Sequence, residues 1–224
     1  MNDSEQRIGV DWRDGNLPVS RRFDDPYFSL QDGLAETRHV FLAGNGLPDR
    51  LCDGFHVVEL GFGTGLNMLA TALAWAATGR AGTLWFTSFE AYPLPASDIA
   101  RALRAFPDVA SAAEPFVAQW ATGAREIGLP GLHLRVIEGD ARETLPTWAG
   151  CADAWYLDGF SPAKNPELWS PDLMKQVARH TAPGGTFATY TAAGHVRRSL
   201  EAAGFTVTRS TGYGPKRHMT TGRI

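Results

Sequence analysis

Only two cysteines, Cys52 and Cys151, occur in 224 residues, and they form no C-x-x-C pair. A disulfide-stapled secreted domain and a cysteine-based zinc module are therefore excluded, and reduced thiols in a cytoplasmic protein are expected. The six histidines are scattered without ligand spacing, so no metal is expected. Long hydrophobic runs are also missing. The most apolar stretch, around Ala70 to Ala77, falls far short of the roughly 20 residues a membrane helix needs. The polar opening from Met1 to Val10 lacks the apolar core of a signal peptide. There is no overall excess of positive charge; the formal net charge is −3. Repeats and low-complexity segments are absent. What remains has the size and apolar content of one large α/β domain, with no membrane association expected.

The charge is unevenly placed. Between Tyr190 and Ile224 stand Arg197, Arg198, Arg209, Lys216, Arg217 and Arg223 against one acid, Glu201. Such a local basic face is compatible with RNA and with an ordinary solvated surface.

The chain is organised around Val57-Val58-Glu59-Leu60-Gly61-Phe62-Gly63-Thr64-Gly65-Leu66-Asn67. An apolar run ends, three glycines alternate, and an apolar helical pattern follows, which reads as strand, tight turn and helix. Glycine permits the sharp turn and a close backbone approach to a ligand, and amides at the helix start face a polar or anionic group. The spacing is G-x-G-x-G, not the G-x-G-x-x-G of dinucleotide loops. Glu-x-Gly-x-Gly-x-Gly resembles the first motif of the class I S-adenosylmethionine methyltransferases.

Taken in order, residues 1–20 read as an irregular entry. Ser20-Arg21-Arg22-Phe23-Asp24-Asp25-Pro26-Tyr27-Phe28-Ser29 mixes aromatics, acids and a proline. Residues 1–54 are expected to be an N-terminal extension, either a packing element or a lid over the cofactor and substrate; 55–224 are expected to be the catalytic domain. From Phe55 strands and helices alternate: strand 55–60, helix 66–78, strand 83–89, helices 97–106 and 114–122, strand 133–137, strand 153–157, helix 171–180, a Pro183-Gly184-Gly185 turn into strand 186–190, helix 195–203, and two final strands, 205–209 and 217–222. Alternation predicts an α/β fold, a mostly parallel sheet with helices on both faces. The short last connection predicts an antiparallel edge. A seven-stranded sheet of this kind resembles the Rossmann-like class I methyltransferase fold.

Under that resemblance, the candidate cofactor-binding residues are Glu59, Gly61, Gly63, Gly65, Asn67, Glu90, Asp140 and Ala141. Glu90 ends the second strand of the alternating series, where a carboxylate accepts from ribose hydroxyls; without a ligand it is a solvated strand end. Asp140 follows the next strand and either accepts from the adenine amino group or caps a helix. Asp158 ends the strand expected beside the first, at the crevice where open parallel sheets bind ligands.

The resemblance narrows with Phe23-Asp24-Asp25-Pro26-Tyr27-Phe28-Ser29, Gly33-Leu34-Ala35-Glu36-Thr37, Leu157-Asp158-Gly159-Phe160-Ser161-Pro162-Ala163-Lys164-Asn165-Pro166 and Thr189-Tyr190-Thr191-Ala192-Ala193-Gly194. With the glycine loop, these are similar to the methyltransferase domain of the MnmC family. That resemblance implies methylation of the amine of 5-aminomethyl-2-thiouridine at the wobble position, in the anticodon region of bacterial tRNA. It also implies an upstream FAD-dependent oxidoreductase activity, often a C-terminal domain; this chain reaches Ile224 without one, so a stand-alone form or a fragment is expected. Asp158 is the catalytic candidate, orienting the amine and accepting its proton, or else hydrogen-bonding its own loop. Tyr27 and Phe160 are candidates to sandwich the uracil, or are core. Lys164, Lys216 and Arg217, with Arg197 and Arg198, are candidate phosphate contacts. Two alternatives stay open: an amine methyltransferase for a small molecule, and a non-catalytic RNA-binding module on the same fold.

Overall fold

Alternation along single strands decides the layers of this protein. In a strand, successive side chains point to opposite faces. Accordingly Val57 joins one core and its neighbour Val58 the other. The computed structural model describes residues 9–13, 15–29 and 32–224. An N-terminal sheet is built from β1 (Val10–Arg13), β2 (Leu17–Ser20) and the two-residue β3 (Asp25–Pro26). Helix α1 (Gly33–Thr37) follows and runs into a π-helical turn, Arg38–Leu42. The alternating part then comprises β4 (His56–Leu60), α2 (Leu66–Ala77), β5 (Leu84–Glu90), α3 (Ala96–Leu103), α4 (Ala110–Ala121), β6 (Glu126–Leu129), β7 (Leu132–Glu138), α5 (Ala141–Thr144), β8 (Ala152–Leu157), α6 (Pro171–Arg179), β9 (Thr181–Thr189), α7 (Gly194–Ala202), β10 (Thr206–Thr211) and β11 (His218–Arg223).

The main sheet has the order β10-β11-β9-β8-β4-β5-β7-β6. Its five central strands are parallel, and both edges are antiparallel. Parallel strands need cover on both faces. Helices α2, α3 and α4 supply it on one side, through Leu69, Ile99 and Phe116 among others; α5, α6 and α7 supply it on the other, through Ala141, Val177 and Leu200. Helix α6 starts at Ser170, whose hydroxyl accepts from the Leu173 amide, with Pro171 at the first helical position.

The sheet has eight strands, one more than expected. The unforeseen strand is β6, four residues with one glycine, paired to β7 across a Pro130-Gly131 turn. Only Ile127 and Leu129 are buried there, too short an alternation to stand out. The described part of the irregular entry also holds strands, with Val10 opposite Ser20 and Val19 opposite Pro26. Strand β9 begins at Thr181 instead of 186. Ala152 pairs with Thr181 but Ala154 with Thr186, so Pro183-Gly184-Gly185 bulges within the strand.

The stretch from Leu34 to Leu51 is not a separate layer. Leu34, Val40, Phe41, Leu42, Leu47 and Leu51 enter the same core as α2. Asn45, buried to 1%, ties this segment beneath the sheet. Its amide donates to the Phe41 carbonyl at 2.9 Å and to the Trp155 carbonyl of β8 at 3.2 Å. Its oxygen accepts from the Thr186 hydroxyl of β9 at 2.6 Å. Replacing Asn45 with Ala strands these groups, and a buried polar group without a partner costs about 1–3 kcal/mol. The Asn45→Ala protein is therefore expected to melt several degrees lower, at roughly 2–4 °C per kcal/mol for a chain of this size. Calorimetry decides it; an unchanged Tm removes Asn45 from the ties that hold the segment.

Candidate active site

Strand order reverses between β4 and β8: β5 and β7 continue to one side of β4, β9 and β11 to the other. Ligands bind open parallel sheets at such a switch point, beyond the carboxyl ends of the strands. A cavity of about 800 Å³ lies there.

The glycine loop forms its floor. Gly61, Gly63 and Gly65 have φ of 89°, 53° and 76°, a region that excludes most side chains. Their surroundings differ. A Cβ on Gly61 would collide with the Asp158 carbonyl oxygen, so this glycine lets β4 and β8 converge. A Cβ on Gly63 would enter the cavity 3.2 Å from the Tyr27 ring. Gly65 faces Phe62 and Phe116, away from the cavity, and opens α2. The amides of Phe62 and Gly63 donate to Glu90 Oε2 at 2.9 and 3.1 Å, and the Tyr92 amide donates to Oε1 at 2.7 Å. Burial raises the Glu90 pKa, and these three amides oppose the rise.

Behind the floor runs a chain of polar side chains. The Thr37 hydroxyl donates to Asn67 Oδ1 at 2.8 Å. That fixes the Asn67 amide so that Nδ2 donates to Glu59 Oε1 at 2.8 Å and to Asp158 Oδ2 at 2.6 Å. Ser88 donates to Glu59 Oε2 at 2.8 Å. Glu59 is fully buried and does not line the cavity, because β4 turns its side chain under α2. Its expected place against the cofactor is thus replaced by one behind the loop. Burial, then the nearby Asp158, holds its pKa well above the usual carboxylate range. Asp158 lines the cavity and has a pKa pushed up to about 7, by burial first, with the Asn67 hydrogen bond pulling it down. Its Oδ1 has no hydrogen-bond partner among the described residues.

Asp140 and Ala141 line the cavity at the start of α5. Asp140 caps that helix, accepting from the Arg142 amide at 2.8 Å, and the Arg142 guanidinium bonds both its oxygens, holding its pKa low. Tyr27 and Phe160 also line the cavity but do not form a slot. Their rings meet edge to face at 5.1 Å, too close for an intervening base, and Phe23 stacks on Phe160 at 4.7 Å. The cause is a clamp: the Ser161 amide donates to Asp25 Oδ2 at 2.8 Å, and Lys164 pairs with Asp24 and Asp25 at 3.5 and 3.4 Å. Lys164, read from sequence as a phosphate contact, is thus bound within the protein. So is Lys216, whose ammonium pairs with Glu36 at 2.8 Å and lines the cavity. Arg217 is exposed and lies outside the cavity lining, whereas Asn67 is part of that lining.

The pattern that defines the S-adenosyl-L-methionine-dependent methyltransferases matches residues 107–224, more than half of the chain. This protein belongs to that methyltransferase family. Among curated proteins, the methyltransferase is 44% identical over 230 residues to the tRNA 5-methylaminomethyl-2-thiouridine biosynthesis bifunctional protein MnmC of Aeromonas salmonicida, covering 95% of this chain and 35% of that one. It is 46% identical over 216 residues to the MnmC of Caulobacter vibrioides, covering 92% and 36%. The chain spans about a third of the length of the curated relatives it matches. Among solved structures, MnmC2 from Aquifex aeolicus superposes with a TM-score of 0.78 at 25% identity, covering 99% of this chain and 72% of that one. No helix among the described residues is long and apolar enough to cross a membrane.

The crevice of the methyltransferase fits the family's cofactor: a Cβ at Gly63 would fill part of the floor, and acids stand at the ends of β5 and β7. Sequence reasoning gave no role to Glu36, Thr37, Tyr190, Phe23 or Arg142, all of the cavity lining. The signal for the first two was the Gly-Leu-Ala-Glu-Thr stretch, read only as part of a packing extension or lid.

Asp158 gives a pH-dependent prediction. Its folded pKa, about 7, exceeds the ordinary 3.8. The folded state therefore favours the protonated form, and that contribution is present below pH 4 and lost as pH rises through 7. Asp158→Asn removes the loss. Relative to the unsubstituted protein the variant should gain stability between pH 4 and pH 8, on the order of 4 kcal/mol for a shift of this size. Urea unfolding at both pH values measures it; equal differences at the two would show that Asp158 ionises as freely as in the unfolded chain.

Proposed function

We propose that this protein N-methylates the aminomethyl group of 5-aminomethyl-2-thiouridine at the wobble position of bacterial tRNA, giving 5-methylaminomethyl-2-thiouridine. The observation that carries the reading is Asp158: a carboxylate with a pKa near neutrality, beside the glycine loop, inside a cavity walled by aromatic rings. An amine-methylating enzyme needs such a group, because an aliphatic amine arrives as ammonium and must shed a proton before it is nucleophilic. The relatives named above carry the substrate identity.

Gly61, Gly63, Glu90, Asp140 and Ala141 are the residues assigned to hold S-adenosylmethionine, with Asn67 and Gly65 shaping the loop from behind. When bound, the cofactor supplies an electrophilic methyl group on a sulfonium. Asp158 accepts one proton from the substrate ammonium at Oδ1: the N–H bond breaks with its electron pair left on nitrogen, an O–H bond forms, and the amine lone pair is free to attack. Asn67 keeps Oδ2 occupied, so proton transfer has one destination. Tyr27 and Phe160 act as one wall of the base pocket, held by the Asp25 and Lys164 clamp, and residues 20–29 serve as the lid. Arg217 is assigned to a tRNA phosphate. An FAD-dependent oxidoreductase activity, on a fused or separate polypeptide, prepares the aminomethyl group, and the work is done in the cytoplasm.

The test is methylation of tRNA purified from cells lacking this activity, followed by mass analysis of nucleosides. The methylamino product at the wobble uridine is expected; its absence with active cofactor binding rejects the substrate. Asp158→Ala should lower the single-turnover rate by about 10²-fold or more, the usual scale for a lost acid–base group. Cofactor affinity should stay within a few-fold. In the unsubstituted enzyme the rate should rise with pH through about 7, as Asp158 becomes a carboxylate able to accept the proton. A flat profile from pH 6 to 8 in single turnovers argues against a base at this position.

A further inference from the structure

We propose that Glu36 and the ring of Tyr190 form the binding site for the substrate's primary ammonium group, and that in the free protein the Lys216 ammonium occupies it. The inference rests on the amine-methylating reading above and names the residues that would recognise the amine. Lys216 Nζ lies 2.8 Å from Glu36 Oε1 and 4.2 Å from the Tyr190 ring centroid. Carboxylate and aromatic face together make a site for a compact cation. A lysine ε-ammonium and an aminomethyl ammonium are the same functional group, a point charge with three donors on a flexible carbon.

Both recognition groups are tied to the scaffold of Asp158. The Tyr190 hydroxyl donates to the carbonyl of Gly159, the residue after Asp158, at 2.7 Å. Glu36 precedes Thr37, which bonds Asn67, which bonds Asp158. Glu36, Tyr190, Lys216 and Asp158 all line one cavity. The charges of Glu36 and Lys216 both reach Asp158, raising and lowering its proton affinity respectively. The other basic residues of the cavity have partners elsewhere: Lys164 with Asp24 and Asp25, Arg142 with Asp140, and Arg22 over Tyr92.

The plug is built to leave. The Glu36 side chain is 13% exposed but that of Lys216 is 43% exposed. Lys216 hangs from the exposed turn between β10 and β11, whose Gly214 has φ 56°. Exchange of one ammonium for another never leaves the Glu36 carboxylate without a counter-ion, which burial would make costly. The displaced lysine then joins Arg217 on the outer turn, where a phosphate can take it. A group bearing negative charge in place of the ammonium is refused by Glu36. Once seated, the substrate ammonium loses its proton to Asp158: the N–H bond breaks with its electron pair left on nitrogen, and an O–H bond forms at Oδ1.

The probe is n-propylammonium, titrated into the whole protein by calorimetry at neutral pH. Lys216→Ala should bind it at least tenfold more tightly than the unsubstituted protein, and adding Glu36→Gln to Lys216→Ala should abolish the gain. Cofactor affinity, unchanged in each variant, reports that the fold is intact. With tRNA, Glu36→Gln should raise KM about tenfold or more. No gain in Lys216→Ala, or a gain that survives Glu36→Gln, overturns the proposal. The ammonium titration uses no RNA, so it reports on the slot alone, whereas an unmethylated tRNA with the unsubstituted enzyme rejects the substrate assignment.

Discussion

The site depends on one side-chain amide. Asn67 places its two N–H bonds on two carboxylates, Glu59 beneath the loop and Asp158 facing the cavity, while Thr37 fixes which end of the amide is which. Four elements meet there: α1, β4, α2 and the end of β8. Two acids so close to one donor group repel when both are charged, and burial disfavours either charge. Asn67 and Ser88 make Glu59 tolerable in the interior. The repulsion falls on Glu59, which burial and Asp158 hold well above the usual carboxylate range. Asp158 is raised by its own burial, with the charge of Glu36 adding to it, to the range in which an acid–base group works. Catalytic poise and local instability thus have the same origin, a carboxylate kept partly out of water for the sake of its chemistry.

The segment before β4 serves the site in two ways. Its later part, from α1 through Leu51, is core, and it brings Thr37 to Asn67 and Glu36 to the cavity. Its earlier part, around Asp24 and Asp25, is held on the loop after β8 by a backbone amide and Lys164. Exposed ion pairs of this kind contribute little to stability. What they contribute is placement: they carry Tyr27 and Phe23 against Phe160. The N-terminal segment and the basic C-terminal part meet at the cavity through one ion pair among the described residues, Glu36 with Lys216.

Much of this was legible in sequence because it is local. The glycine loop announces itself: three alternate glycines are needed wherever backbone must take left-handed conformations three times in five residues. Glu90, Asp140 and Asp158 could be placed because each follows an apolar strand and parallel strands end on one side of a sheet. The strand β6 could not, since two buried residues across a glycine carry almost no periodic signal. Glu59 was misread because its motif position names a residue near the loop without saying which face of β4 it takes.

What the sequence determined by itself was the alternation of strands and helices from β4 onward apart from β6, the ligand end of the sheet and three of the acids at it, Glu90, Asp140 and Asp158, all set by periodicity and by short-range backbone constraints. Tertiary structure alone decided the partners of the charged and aromatic residues. Lys216 and Glu36 stand 180 residues apart, and Ser161 and Asp25 136. A lysine on a glycine-rich turn reads as a solvated charge until folding brings that turn over a cavity with a carboxylate at its wall. Phe160 and Tyr27 read as two faces of a slot until a clamp presses them together. The reason is physical: a side chain's propensity is a property of its neighbours in sequence, but its electrostatic partner is whatever the closed sheet places within a few ångströms.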